Sequence, residues 1–257
     1  MSSCSISDIR NDYVKTQSNT SERARQILSE MQIAHGVEHW NKFQTYSVAF
    51  QDEFYGLIGS IANPFPNNRA DVILTYTPGE FTGKASFVSG KWQGKTWGYT
   101  QNRTYEEDKE GNLNFEENST IKFWVPTYQY FLELPARITE ADQMAYAGTD
   151  EWNGRPQDLV LVSWKSLSPQ KDIDQYVLWI DQETHRITLI EYTIREIMKS
   201  AKGCAFFEDY ETYGGILLPS KIPVKQKREQ ADNLHQMSIN AVTFDSIPTT
   251  QLAVEFP

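Results

Sequence analysis

The chain has 257 residues, a length that suits one large β-rich domain or two small ones. Apolar residues make up 39% and aromatics 13%, enough to bury a core and too many for a largely disordered chain. The formal net charge of −10 argues against DNA, RNA or an anionic membrane surface as the main partner, because each needs a concentrated basic patch.

Residues 1–19 are polar and read as a flexible N-terminal segment. MSSCSISDIR has neither a cationic start nor an apolar run, so it is no signal peptide as it stands. Ser-Ser-Cys4-Ser nevertheless resembles the end of a bacterial lipoprotein signal, in which small residues precede a cysteine that becomes lipidated. Cys4 is therefore the candidate lipidation site and would serve as a tether. With an upstream apolar segment the chain would be a periplasmic or outer-membrane lipoprotein, and without one cytoplasmic. The other cysteine, Cys204, sits in KGCAFFEDY and reads as a small apolar strand residue; two cysteines this far apart make a disulfide scaffold a poor reading.

Asn19 or Thr20 can cap a helix, and Ala24, Ile27, Leu28, Met31 and Ala34 recur at helical spacing, so Ser21 to about His35 reads as one amphipathic helix ended by Gly36. Strands then dominate. Phe43–Phe54 alternates, NPFPNN is a turn-rich loop, and DVILTYTPG is a strand closed by Pro-Gly. Residues 83–102 read as two short strands joined near Gly90 and Gly94, and the acidic stretch 105–118 as an exposed hairpin tip or loop. TIKFWVPTYQYFLELP is dense in aromatics. It reads as an extended piece up to Trp124, then a short helix begun by Pro126 and ended before Pro135.

Further strands follow at DLVLVSW, YVLWID, ITLIEYTI, Ala205–Tyr213, Ile216–Val224 and Ser238–Phe244, with a short Leu252–Val254 tail. The total is about ten or eleven strands, arranged as hairpins without a βαβ rhythm. The basic run KIPVKQKR, Lys221 to Arg228, reads as a solvated turn. The central strands are apolar on both sides: Tyr176, Leu178 and Ile180 oppose Val177 and Trp179, and Leu159 and Leu161 oppose Val160 and Val162. A strand that meets water on one face alternates, so this sheet must be covered twice.

Catalytic signatures are lacking. His35 and His39 read as surface residues around a helix end, and neither His185 nor His235 falls in a metal-spaced cluster, so no metal or cofactor is expected. There is no nucleophile elbow and no dinucleotide fingerprint. The run Glu106, Glu107, Asp108 and Glu110 reads as a solvated charge cluster. Trp92, Trp97 and Trp152, near turns, are the candidates for a sugar-binding platform.

Several stretches carry a family likeness. YVLWIDQETHRITLIEYT resembles the "strand, Trp-Ile-Asp, x-x-Thr, strand" hairpin of the outer-membrane lipoprotein carrier (LolA/LolB-like) superfamily. DLVLVSWKSLSP, ILSEMQIAHGVEHWNKFQTYSVAF and GGILLPSKIPV are similar to its preceding strand, its opening and its late strand, with the closest likeness to a Bacteroidetes-type branch. The resemblance implies a mainly β (α+β) fold: an unclosed, strongly curved antiparallel sheet with the N-terminal helix and a short aromatic lid helix, residues 20–257 forming one carrier-like domain. It also implies that an apolar mouth receives a lipid or acylated protein, with Phe123, Trp124, Tyr128, Phe131, Trp179 and Tyr192 as ligand-binding candidates. Membrane association would come only through a lipid anchor. Two other readings stand beside it: a structural or interaction protein whose aromatics fill its own core, and a carbohydrate-binding or hydrolytic protein.

Overall fold

The computed structural model describes residues 6–13 and 20–256. Cys4, the candidate lipidation site, and Asn19, a candidate helix cap, lie outside the described residues. The chain runs through α1 (Thr20–Ala34), β1 (Tyr46–Phe54), α2 (Gly56–Ala62), β2 (Arg69–Tyr76), β3 (Gly83–Phe87), β4 (Thr96–Thr100), β5 (Arg103–Glu107) and β6 (Leu113–Asn114). Next come α3 (Ser119–Leu132), α4 (Leu134–Arg137), β7 (Gln143–Trp152), β8 (Arg155–Ser163), β9 (Gln175–Asp181) and β10 (Ile187–Thr193). The last strands are β11 (Lys202–Phe206), β12 (Glu208–Tyr213), β13 (Ile216–Lys225) and β14 (His235–Phe244). The fold is mixed α+β, dominated by an extensive antiparallel sheet that is not closed into a barrel, with an N-terminal helix. Fourteen strands among the described residues enter this sheet, more than the ten or eleven expected. The stretch Ala205–Tyr213 divides into β11 and β12, and the acidic hairpin contributes β5 and β6.

The chain divides into two compact units. Unit 1 comprises Met1–Val37, Pro135–Glu208 and Ile222–Asn233; unit 2 comprises Glu38–Leu134, Asp209–Lys221 and Leu234–Pro257.

In unit 1, β7, β8, β9, β10 and β11 are successive antiparallel neighbours. Trp179 pairs with Leu159 on one side and Leu189 on the other, so all three share a face. That face carries a buried cluster of Ile9, Leu159, Leu161, Val177, Trp179, Leu189, Cys204 and Phe206. The opposite face is covered by α1, which packs on β7 and β8 with Ala24, Ile27, Leu28 and Met31 buried. Ile27, Leu28 and Met31 each contribute roughly 1.5–3 kcal/mol by leaving water. The double covering inferred from YVLWID thus has two distinct agents: a helix on one face, and on the other a segment that includes Ile9. His35, expected at the surface, is buried instead, and its Nε2 accepts the amide hydrogen of Ile187 at 3.1 Å.

In unit 2, β1 lies between β2 and β14, and β2 to β6 follow in order. α3 packs on β3, β4 and β5. It starts at Ser119, not after Pro126, and runs through the proline. The Asn118 side chain caps it by accepting from the amides of Thr120 and Ile121, and Ile121, Val125, Tyr128 and Leu132 are buried along one stripe. Burial of that stripe outweighs the lost hydrogen bond and ring clash, which cost about 3 kcal/mol for an interior proline. α2 had no counterpart in the sequence reading; Leu57, Ile58 and Ile61 are exposed on it, so it shows no buried apolar stripe. The expected strand at Leu252–Val254 is absent. A single 3₁₀ turn, Thr249–Gln251, delivers Leu252 into a buried position there.

Candidate functional site

The six aromatic candidates fall into two groups. Phe123, Trp124, Tyr128 and Phe131 lie on α3 in unit 2, and Trp179 and Tyr192 lie on β9 and β10 in unit 1.

In unit 2 the rings pack against the protein itself. Trp124 meets Phe54 at 5.8 Å, Tyr128 at 5.5 Å and His235 at 5.8 Å between centroids, and Phe123 abuts Trp124. The Tyr128 hydroxyl donates to the Asp52 carboxylate at 2.8 Å, and His235 Nδ1 lies 2.7 Å from its other oxygen. Asp52 is 1% exposed, so these two partners are what make its burial tolerable. Phe131 is also buried. Of the three candidates for a sugar platform, Trp97 is buried and Trp92 and Trp152 are half-buried. Trp97 is buried against Phe65, Phe87 and Trp92, while Trp152 packs on Phe206. Asp108 of the acidic run is engaged locally, accepting from the amides of Glu110 and Asn112 and closing the β5–β6 hairpin. No group of side chains that could hold a metal ion occurs among the described residues.

Trp179 and Tyr192 do not share a face. Tyr192 pairs with Tyr176, an odd number of residues from Trp179, so the pleat sends them to opposite sides. The Tyr192 ring stacks on Tyr176 and lies over Gly203, where a Cβ would come within 3.0 Å of it.

The notable geometry of unit 1 is on the Trp179 face. A cleft of about 560 Å³ opens there, with Ala147 and Leu159 at its base and Tyr13, Asp150, Glu191, Arg228 and Glu229 around it. Its volume lies in the range of small-molecule sites. A second cavity of about 210 Å³ lies beside it, lined by Ile9, Lys202 and Cys204, with Asp12, Tyr13, Glu191, Arg228 and Glu229 common to both. Trp179 is fully buried beneath, and the Arg228 guanidinium sits 4.2 Å above its ring centre. Trp179 Nε1 donates to Glu191 at 3.1 Å, and the same carboxylate oxygen accepts from the Tyr13 hydroxyl. Burial raises the Glu191 carboxyl to about 7, with Arg228 and Lys202 opposing the rise and Glu229 and Asp12 adding to it. Burial likewise raises the Cys204 thiol, to about 12, so it stays protonated. The cleft is therefore lined mainly by polar and charged groups over a small apolar base, where an apolar mouth was expected.

Of these residues only Trp179 was singled out from the sequence. Arg228 belongs to the basic run that reads as a solvated turn, yet its head group lies on a buried indole. Glu191 carried a usable signal: a lone carboxylate on the inward face of an apolar strand. Tyr13 carried none, since it lies in a polar stretch with no periodicity.

Comparison with known proteins bears on the fold. No family model and no curated protein matches the chain. Among solved structures it is similar to a domain described as an outer-membrane lipoprotein-sorting protein from Vibrio parahaemolyticus, with a TM-score of 0.52 and 11% identity over 87% of this chain and 94% of that one. It is similar to a DUF1329 family protein from Desulfovibrio piger, with a TM-score of 0.54 and 11% identity over 85% and 92%. A LolA superfamily protein from Nitrosomonas europaea matches with a TM-score of 0.52 and 8% identity over 85% and 96%. The chain thus shares its fold with these three proteins.

Proposed function

We propose that the chain is a non-catalytic binding protein of the cell envelope, that residues 20–257 act as one carrier-like domain, and that its ligand is a lipid or the acyl chain of an acylated protein. The reading rests on one observation above others: a cleft of about 560 Å³, its lining mainly polar and charged with a small apolar base at Ala147 and Leu159, on a fold shared with proteins described as lipoprotein-sorting or LolA-superfamily. Each methylene transferred from water to such a base contributes roughly 0.8 kcal/mol, so a long chain binds without a metal or nucleophile. Trp179 lines neither cavity; it lies buried beneath Arg228, which borders both, and supports the site from below. The motif likeness to a Bacteroidetes-type branch and lipidation at Cys4 belong to the same proposal, with the anchor holding the protein at the membrane.

A second reading has its own support in unit 2, where Trp124 and Tyr128 fill a core with Phe54 and His235. On that reading the aromatics of α3, including Phe123 and Phe131, stabilise the fold and touch no ligand. Native mass spectrometry of the purified protein decides between the two. Co-purified lipid that is lost in Ala147→Asp and retained in Phe131→Leu supports carriage on the Trp179 face. A lipid-free protein, or lipid retained in Ala147→Asp, overturns it; loss in Phe131→Leu alone moves the site to α3.

A further inference from the structure

The segment before α1 is an integral part of unit 1. Ile9 is buried in the Trp179 cluster, and Tyr13 meets Trp179 edge-on with centroids 6.2 Å apart. The two ends of the segment are held differently. At Ser7 and Asp8 the grip is dense. Arg195 donates to the Ser7 hydroxyl at 2.7 Å and to its carbonyl at 2.6 Å, the Ser7 amide donates to the Lys199 carbonyl, and Gln175 Nε2 donates to Asp8. At Asp12 and Tyr13 the side-chain contacts to the sheet are an exposed Lys202–Asp12 ion pair, the Tyr13 hydroxyl on Glu191 and the Tyr13 ring on Trp179, while the Tyr13 amide bonds only within the segment, to the Arg10 carbonyl. Open volume flanks this second end, since both cavities border Asp12 and Tyr13. A core side chain normally has neighbours on all sides, without voids larger than a water molecule. Tyr13 instead stands as a partition between two cavities above an apolar base.

We propose that Ile6–Tyr13 is a built-in occupant of the Trp179 face, hinged at Ser7–Asp8 and latched by Tyr13 on Glu191, and that swinging its Tyr13 end away joins the two cavities into one trough for an acyl chain. This deepens the carrier reading and rests on it for the identity of the ligand, though not for the latch.

The latch has a chemical control. Its keeper is a carboxylate whose neighbours are Asp12 and Tyr13 on the segment, Lys202 and Cys204 on β11, Arg228 and Glu229 after β13, and Asp150 across the cleft on β7. Closed, the carboxyl is buried and favours its protonated form; opening lets water reach it, which favours the ionised form. Acid pH therefore keeps the latch shut, and a rise through about pH 7 loosens it. In Glu191→Gln the neutral amide keeps an acceptor for Tyr13 and removes the titration.

Hydrogen exchange of residues 6–13, corrected for intrinsic rates, tests the latch on the full chain. Protection in the wild type should fall about tenfold or more from pH 5.5 to pH 8, the equivalent of about 1.4 kcal/mol. Glu191→Gln should hold its protection across that range, and Tyr13→Phe, which keeps the ring, should be open at both. Titration with dansyl-labelled undecanoic acid at pH 5.5 tests the trough. Tyr13→Ala and Tyr13→Phe should each bind it at least about fivefold more tightly than the wild type, a gain of about 1 kcal/mol. Exchange and affinity that are the same in all variants and at both pH values overturn the latch and leave the carrier reading standing. pH-dependent exchange with no probe binding in any variant keeps the latch and overturns the acyl trough together with the carrier reading.

Discussion

Two carboxylates on the β9–β10 hairpin show how residue environment sets opposite responses to pH. Asp181 is buried at the turn, where it accepts from Arg155 Nε at 2.5 Å, from the amides of Glu183 and Thr184 and from the Thr184 hydroxyl. These donors, Arg155 first, hold its carboxyl well below the usual range. A group depressed in the folded state stabilises the fold above its unfolded value, near pH 4, and loses that contribution as pH falls. Asp181→Asn should therefore cost about 1–3 kcal/mol at pH 7, by the loss of charge-assisted hydrogen bonds, and much less near pH 2. Urea denaturation at the two pH values checks it, and an equal cost at both would show that the charge is irrelevant. Glu191 runs the other way. Its carboxyl is raised to about 7, so the folded state is favoured while it is protonated, and stability falls as pH climbs from about 4.5 to above 7. The shift corresponds to roughly 3 kcal/mol. Glu191→Gln should flatten that slope, and a wild-type slope retained in the variant would place the titrating group elsewhere. The polar turn from Asp181 to His185 was legible as a turn because Asp and Thr favour local side-chain bonding to the backbone. The partners of Glu191 were not legible, since Tyr13 and Arg228 approach it only through tertiary packing.

At the scale of elements, strands were easier to read than helices. Alternation marks β1 and β3, whereas β8, β9 and β10 are marked by short apolar runs between turn residues, because both of their faces are covered. α3 defeated local reading because Pro126 signals a start or a stop, whereas the stripe from Ile121 to Leu132 that overrides it is visible only against β3, β4 and β5. One recurring device was hidden for a similar reason. Three strand glycines sit directly opposite tyrosines: Gly83 opposite Tyr76, Gly98 opposite Tyr105, and Gly203 opposite Tyr192. Glycine weakens a strand, and a cross-strand ring laid over it restores the lost packing. At Gly98 an added Cβ would fall 2.0 Å from the Tyr105 ring, but at Gly203 it would stop 3.0 Å from Tyr192. Gly98→Ala should thus displace its ring and cost about 1–3 kcal/mol, as overpacking does, with Gly203→Ala nearer the lower end. Thermal melts of the two variants rank them; the reverse order would mean that the tyrosines yield freely.

The connectivity of the whole chain limits what any part of it can do alone. Both units are assembled from separated segments, and in unit 2 the pairing that matters most joins β1 to β14 along the entire length of β1, from Tyr46 against Phe244 to Phe54 against His235. The same seam is fastened by Asp245, whose carboxylate accepts from the Gln44 and Thr45 amides across about 200 residues of sequence. It also supplies His235 to the buried Asp52 carboxylate. Closing so long a loop costs entropy that the contacts along the seam must offset. None of this could be read from β1, whose alternating pattern specifies two faces and says nothing of which strand lies beside it. A chain truncated after Asn233 should accordingly leave β1 without one neighbour and Asp52 without one of its two buried partners. Leaving one oxygen of a buried carboxylate without its partner costs about 1–3 kcal/mol. Amides of β1 and β2 should then exchange freely at pH 7, and supplying residues 234–256 as a separate peptide should restore their protection. If β1 and β2 stay protected in the truncated chain without the peptide, the β1–β14 seam does not hold unit 2 together.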